Sequence, residues 1–279
     1  MDWGVDTMIG YPVLNAEETF DLLDEEGIKF IEIAYEHFRG LDREGQDKLA
    51  EKIRDKLNTT SLKPIQMHAI FGSVNAELAS TDKNTVKRAL EKIFRWIDYC
   101  RMLEAEVLVV HPAIADPNIG FRSLDTYKYS LEVNIRIFNR ILKYAHERGV
   151  LIAVENTLER VFGCKAGDLL SLIENVKYDN IGVCIDTGHL SVNHLDISTF
   201  IETTKKYLIA THIHDNYGIR DLHNPPLMGR IEWREVIESF EKVNYNKPLV
   251  MEVRGTNNIQ GIVNKIRLCK LVGENLFSS

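Results

Sequence analysis

Eight short runs rich in Val and Ile recur along this chain, each followed by a longer amphipathic stretch. The runs are Trp3–Met8, Lys29–Ala34, Pro64–Ile70, Glu106–His111, Val150–Glu155, Ile181–Asp186, Tyr207–His214 and Pro248–Val253. Their length and β-branched content predict strands. Several are continuously apolar (VLVVH, LIAVE, IGVCID), as expected for parallel strands covered on both faces. Between them, Asn15 with Glu18 predicts a capping box opening a helix that stops at Gly27. Val86, Leu90, Ile93, Ile97 and Cys100 form one helical stripe. Leu131, Ile135, Phe138, Leu142 and Ala145 form another, closed by Gly149. Strand and helix alternating eight times predict an all-parallel α/β sheet with right-handed crossovers. Closed on itself, this is a (β/α)8 TIM barrel, and 279 residues suit one such domain spanning 1–279. An open doubly wound sheet is the runner-up, weakened because no G-x-G-x-x-G follows the first strand.

Composition excludes other classes. With 44% hydrophobic and 27% charged residues the chain is neither disordered nor fibrous. A net charge of -7 disfavours a general nucleic-acid or anionic-membrane binder, though not a local basic patch. Cys100, Cys164, Cys184 and Cys269 lie far apart with no C-x-x-C pair and are expected to be free thiols in a reducing compartment. The start MDWGVDTMIG has no basic segment before an apolar one, and no long uncharged apolar window follows. The expectation is a soluble, cytoplasmic protein with no membrane partner.

The chemistry collects at strand ends, where a barrel builds its active site. His68 ends QMHAIFG, His111 ends LVVHPA and Glu155 ends IAVENT. Asp186 and His189 lie in IDTGH, His212 and His214 in THIHDN, and Glu252 in VMEVRG. The loop after the seventh strand adds Asp221 and His223 as D-x-H. Any one of these alone is most simply structural or solvated. Together they place several carboxylates in a barrel mouth, where lost hydration costs several kcal/mol unless a cation compensates. Within these motifs only Arg254 is obligatorily cationic. The mixed nitrogen and oxygen set therefore predicts a divalent metal, Zn2+, Mn2+, Fe2+ or Co2+ rather than Ca2+.

From His68 to Glu252 these motifs resemble the xylose-isomerase-like TIM barrels, a superfamily joining metal-dependent sugar isomerases and epimerases to endonuclease IV-type apurinic/apyrimidinic endonucleases. For the sugar enzymes, the resemblance implies one divalent ion held by Glu155, Asp186, His212 and Glu252. It makes the two glutamates the acid/base pair and sets His189 against a substrate oxygen. For the endonucleases it implies three zinc ions. His68, His111 and Glu155 would form the first site. Glu155, Asp186, His212 and Glu252 would form the second, and His189, Asp221 and His223 the third. The cofactor expectation is thus Zn2+ or Mn2+, one to three ions, and the resemblance also leaves room for a homo-oligomer.

The favoured reading is an isomerase or epimerase of a sugar or sugar phosphate working through a metal-stabilised enediolate. His68, Phe71 and Arg254 would contact substrate, with Arg254 meeting a phosphate or carboxylate or else pairing with a rim acid. The alternative, cleavage of abasic DNA, needs a basic rim and a wedge. Phe71 is the only candidate wedge in its loop, and Arg39, Arg122, Arg160 and Arg220 are dispersed over four rim loops. WGVDTMIG lacks the G-x-H-x-S pattern associated with those nucleases, and GRIEW resembles a G-x-I-x-W segment of the sugar branch, where it leads into the next helix and walls the pocket. A non-catalytic barrel that keeps a metal for stability, or binds a polyol without turnover, is disfavoured by the intact glutamate pair. Neither G-x-S-x-G, a P-loop nor H-E-x-x-H occurs. Glu32 is read as pocket floor, His37 and His194 as solvent-exposed, and His214 as support for the ligands.

Overall fold

The computed structural model describes residues 1–115, 124–158 and 161–277. The eight strands are β1 (Trp3–Asp6), β2 (Phe30–Ile33), β3 (Lys63–His68), β4 (Val107–Val110), β5 (Leu151–Glu155), β6 (Ile181–Asp186), β7 (Leu208–His212) and β8 (Leu249–Met251). Each pairs in parallel with its sequence neighbour from β1 to β7, and β8 pairs with β1. The ring closes just beyond β7. The Ile213 amide donates to the Val250 carbonyl at 2.7 Å, the Glu252 amide donates to the Ile213 carbonyl at 3.2 Å, and Ile213 bridges Met251. The fold is a (β/α)8 barrel. Among the described residues no helix is long and apolar enough to cross a membrane.

The period-two alternation of strands sorts the side chains into two layers. Residues facing outward, such as Leu108, Val110, Ile152, Val154, Val183 and Ile185, join the large core under the helices. Those facing inward form a separate small plug of Val107, Val109, Ala153, Cys184 and Ala210. Two residues further along the same inward rows stand His111, Glu155, Asp186 and His212. From β4 to β7 the barrel floor is thus apolar and its mouth polar, because the same face of each of these strands switches character in one step.

Six strands stop one or two residues earlier at the mouth than the apolar runs suggest, whereas β5 and β6 end where expected, at Glu155 and Asp186. After Asp6 the chain turns at once, with the Asp6 carboxylate accepting the Met8 amide at 2.6 Å. Asp186 likewise caps a helix (Thr187–Val192) that starts directly at the strand end. The Asn15–Glu18 capping box forms, with both reciprocal bonds at 2.9 Å, and Gly27 adopts φ +77° beyond that helix. The four cysteines are buried.

Two expectations need correction. In the helix Leu124–His146 the deep face includes Val133, Asn134, Ile137 and Ile141 beside Phe138, Leu142 and Ala145, while Leu131 and Ile135 are only partly buried. Asn134 turns inward because its side chain brackets Ala113, accepting that amide at 2.8 Å and donating to that carbonyl at 3.0 Å. A buried polar anchor of this kind is invisible to an apolar stripe. His37 is not solvent-exposed. Its Nε2 lies 3.0 Å from the Thr7 carbonyl, its ring meets Tyr11 and Phe20 edge-on, and burial lowers its pKa to about 4.

The loop after β7 is held at its base by Asp215, which is fully buried. Asp215 pairs with Asn224 through two backbone bonds of 2.8 and 3.0 Å. Its carboxylate accepts the Asn216 and Ile231 amides and the Trp233 indole N–H at 2.8, 3.2 and 2.8 Å. Trp233 opens the next helix, so the GRIEW segment anchors this loop. Asp215→Ala strands two buried donors and the part-buried Ile231 amide, at about 1–3 kcal/mol for each that water cannot reach. Urea unfolding of this variant should show a loss of roughly 3 kcal/mol or more.

Candidate metal centre

Glu155 is the hub. Its Oε2 lies 3.2 Å from His68 Nε2 and 2.8 Å from His111 Nε2, and its Oε1 lies 3.1 Å from His212 Nδ1 and 3.4 Å from His189 Nδ1. Beside it, Asp186 accepts the His189 amide at 2.6 Å and lies 2.9 Å from His214 Nε2. Glu252 Oε2 faces His212, His214 and His223 at 3.6, 3.7 and 3.4 Å. Asp221 Oδ2 lies 2.8 Å from His223 Nε2 and 3.6 Å from His189 Nε2.

Most of these imidazoles are oriented through their other nitrogen. His68 Nδ1 faces the Ala69 carbonyl at 2.8 Å, His189 Nδ1 the Asn156 carbonyl at 2.8 Å, and His223 Nδ1 the Glu252 carbonyl at 3.2 Å. His212 Nε2 faces the Glu32 carboxylate at 3.0 Å, and Glu32 in turn accepts Gln66 Nε2 at 2.8 Å. Such partners fix the tautomer and leave the second nitrogen aimed inward. Gly188 is required here because a Cβ at that position would stand 1.9 Å from His214 Cε1.

Among the described residues, three groups of side chains have ligand atoms within 4.8 Å of one another: His68, His111 and Glu155; Glu155, Asp186, His212 and Glu252; and His214, Asp221 and His223. Glu155 is common to the first two. In the third it is His214, rather than His189, that completes the group, with its ring stacked on His223 at 4.2 Å. Among the described residues, His212 Nδ1, His214 Nδ1, Asp221 Oδ1 and Glu252 Oε2 are buried without a hydrogen-bond partner. Buried polar atoms are seldom left so. Four orphaned atoms within these groups, with imidazole and carboxylate donors throughout, fit divalent cations.

Without a cation the charges compensate each other. Burial alone would raise the Glu155 carboxyl, yet its contacts with His212 and His111 hold it well below its usual range. Burial opposes ionisation of Glu252 and Asp221 too, and neighbouring imidazoliums again keep them low. Burial would lower His68 and His189, but their carboxylate neighbours raise them to about 9 and about 10. These two values exceed the unfolded value of 6.5. Their contribution to metal-free stability is therefore fully present below about pH 6.5 and gone above pH 9–10. Metal binding needs neutral imidazoles and so releases protons. The metal-free protein should lose thermal stability between about pH 7 and 10. The metal-loaded protein should not, as scanning calorimetry of both forms would show.

A cavity of about 260 Å³ opens over these groups, lined by His68, Phe71, His111, Glu155, His189, Asp221, His223, Glu252 and Arg254, with Met8 and Glu36 among its other walls. Phe71 is no projecting wedge. It packs on His68 and His111 with centroids 5.1 and 5.3 Å apart and on Tyr35 at 5.4 Å. Arg254 is exposed at the rim. Arg39 and Arg220 are exposed, and Arg122 and Arg160 lie outside the described residues. The GRIEW residues do not line this cavity, contrary to expectation. Glu36, Asn156 and Gln66 were not anticipated. Asn156 follows Glu155 and brackets Asp186, accepting its amide at 2.7 Å and donating to its carbonyl at 3.1 Å. The strand-end pattern that marked Glu155 could have flagged Asn156, had amides been counted with acids.

Residues 20–270 match the family model described as xylose isomerase-like TIM barrel. The chain belongs to this family. Among curated relatives it is 33% identical to uncharacterized protein y4fM of Sinorhizobium fredii over 156 residues, covering 56% of this chain and half of that one. It is 23% identical to probable endonuclease 4 of a Sulfurihydrogenibium species over 195 residues, 67% of this chain and 66% of that one. Among solved structures, a D-tagatose 3-epimerase-like protein superposes with TM-score 0.81 at 22% identity, covering 100% of this chain and 98% of that one. The IOLI protein with a bound zinc atom also gives 0.81, at 15% identity, covering 100% and 98%. These two likenesses concern the fold.

Because Glu32 sets the orientation of His212, Glu32→Gln should weaken divalent-metal affinity by about 10–100-fold while leaving the fold intact. Competition with a chromogenic chelator, with circular dichroism as the fold control, measures both.

Proposed function

We propose that this barrel is a divalent-metal-dependent isomerase or epimerase of a sugar or sugar phosphate. The observation that carries the reading is the meeting of Glu155 and Glu252 in one four-residue group at the floor of a sugar-sized cavity. Likeness to an epimerase-like structure supports it. The metal would be held by Glu155, Asp186, His212 and Glu252. When bound, it supplies a Lewis acid that offsets negative charge developing on adjacent substrate oxygens.

The chain's own part is proton transfer. Both glutamates are held as carboxylates, so either can take a proton from a carbon beside a carbonyl. In an epimerisation the other would first have to take up a proton from solvent, which it then returns to the opposite face of the carbon. His189, fixed through its Nδ1, offers Nε2 to a substrate oxygen. His68 and Phe71 form one wall, and Arg254 stands at the entrance to meet an anionic substituent.

A second reading, hydrolysis of a phosphodiester at abasic DNA with a trinuclear zinc site, is favoured by Glu155 being shared between two groups and by the third group around Asp221. The endonuclease 4 relative supports it too.

Metal analysis of protein purified without chelator, paired with deuterium exchange at carbon in a ketose panel and incision of an abasic duplex, separates the two. The first reading expects about one ion per chain, and exchange that falls roughly 10²–10⁴-fold in Glu155→Gln and Glu252→Gln. Two or three ions, with incision that disappears in Asp221→Ala, would establish the second. Near-zero metal would remove both.

A further inference from the structure

Glu36 belongs to none of the three groups, yet it lines the same cavity. It sits in a tight turn (Tyr35–Phe38) directly after β2, and its neighbours are all anchored elsewhere. Tyr35 packs against Phe71 and Trp96, with centroids 5.4 and 5.6 Å apart. His37 is bound to the Thr7 carbonyl, and Phe38 packs on Trp96 and Tyr99 at 4.9 and 5.8 Å. Glu36 is thus the residue of the turn left facing the cavity, on a rigid support. Among the described residues no side chain lies within hydrogen-bond or ion-pair distance of its carboxyl. Burial raises its pKa and Glu252 adds to that rise, against the pull of His68 and Arg39.

The half-buried Glu36 carboxyl has four acceptor sites, met by its own backbone amide and by no side chain, so it keeps acceptor capacity facing the cavity for a ligand that donates hydrogen bonds. Adjacent sugar hydroxyls are such donors. A phosphate offers none when fully ionised and brings like charge against both Glu36 and Glu252. A metal ion held by Glu155, Asp186, His212 and Glu252 would offset their charge and leave that of Glu36 uncompensated. The one guanidinium among the described lining residues, Arg254, is exposed and so screened by solvent.

From this placement we infer that Glu36 is a specificity-determining residue that accepts hydrogen bonds from substrate hydroxyls, so that the barrel takes an uncharged polyhydroxy ketone in preference to its phosphate ester. The inference rests on the sugar reading above and narrows it.

The test is calorimetric binding to the metal-loaded protein, with D-tagatose and its 1- and 6-phosphates as probes. The wild type should bind the free sugar at least tenfold more tightly than either phosphate. Glu36→Gln, nearly isosteric, should weaken the free sugar about tenfold and narrow that preference, while Glu36→Lys should reverse it. Unchanged metal content and melting temperature in both variants separate loss of recognition from loss of fold. A wild type that favours a phosphate, a wild type that does not bind the free sugar, or variants that leave the preference unchanged, would overturn the assignment. Binding is read apart from turnover. If no ketose is isomerised but the preference and its loss hold, the isomerase reading falls and the role of Glu36 stands.

Discussion

The Glu155 carboxylate has imidazoles from four different strand ends within 3.4 Å of its two oxygens while remaining almost wholly shielded from water. Removing an ionised carboxylate from water costs several kcal/mol unless it is paired. The pairing here draws on the ends of β3, β4, β6 and β7 around the β5 carboxylate. None of those strands can shift without exposing a buried charge. The mouth of the barrel is thus tied electrostatically, as its floor is tied by the packing of Val107, Val109, Ala153, Cys184 and Ala210.

That dependence explains why so many neutral polar residues around the mouth are buried and fully bonded. Asn156 holds Asp186, Gln66 holds Glu32, Asn75 reaches the His111 and Pro112 carbonyls, and Asn134 brackets Ala113. The first three fix a backbone or a carboxylate that belongs to, or borders on, an imidazole of the site. Ligand sets of this kind need such support, because a nitrogen lone pair misdirected by one ring flip is lost to the site. The four orphaned atoms at the centre contrast with this well-satisfied surround. Unpartnered ligand atoms inside an ordered surround form groups that could hold a cation.

The same arrangement bears on reaction class. A barrel rim can serve many chemistries, and fold likeness alone does not choose among them. Glu36 stands unpaired on a rigid turn over a small cavity, and the described rim arginines are exposed. A substrate that donates hydrogen bonds suits such walls better than one that carries its own negative charge.

Much of this was legible in the linear chain. The eight runs, their order and the acid or imidazole at the ends of the last six follow from period-two alternation and from the rule that barrels work at one rim. The convergence of Glu155, Asp186, His212 and Glu252 could be expected because each stands at the same depth on an inward-facing row. Other features escaped. The inward turn of Asn134 and the burial of His37 depend on which backbone groups need partners, and no local pattern records that need. His214 joining Asp221 and His223 depends on how far the loop after β7 folds back, which Asp215 and Trp233 set from residues far apart in sequence. Sequence alone determined which side chains share a rim, because strand geometry is local. Only the tertiary structure decided which of them touch and which are left wanting a ligand, because those distances are fixed by long-range packing and by hydrogen bonds between separate strands.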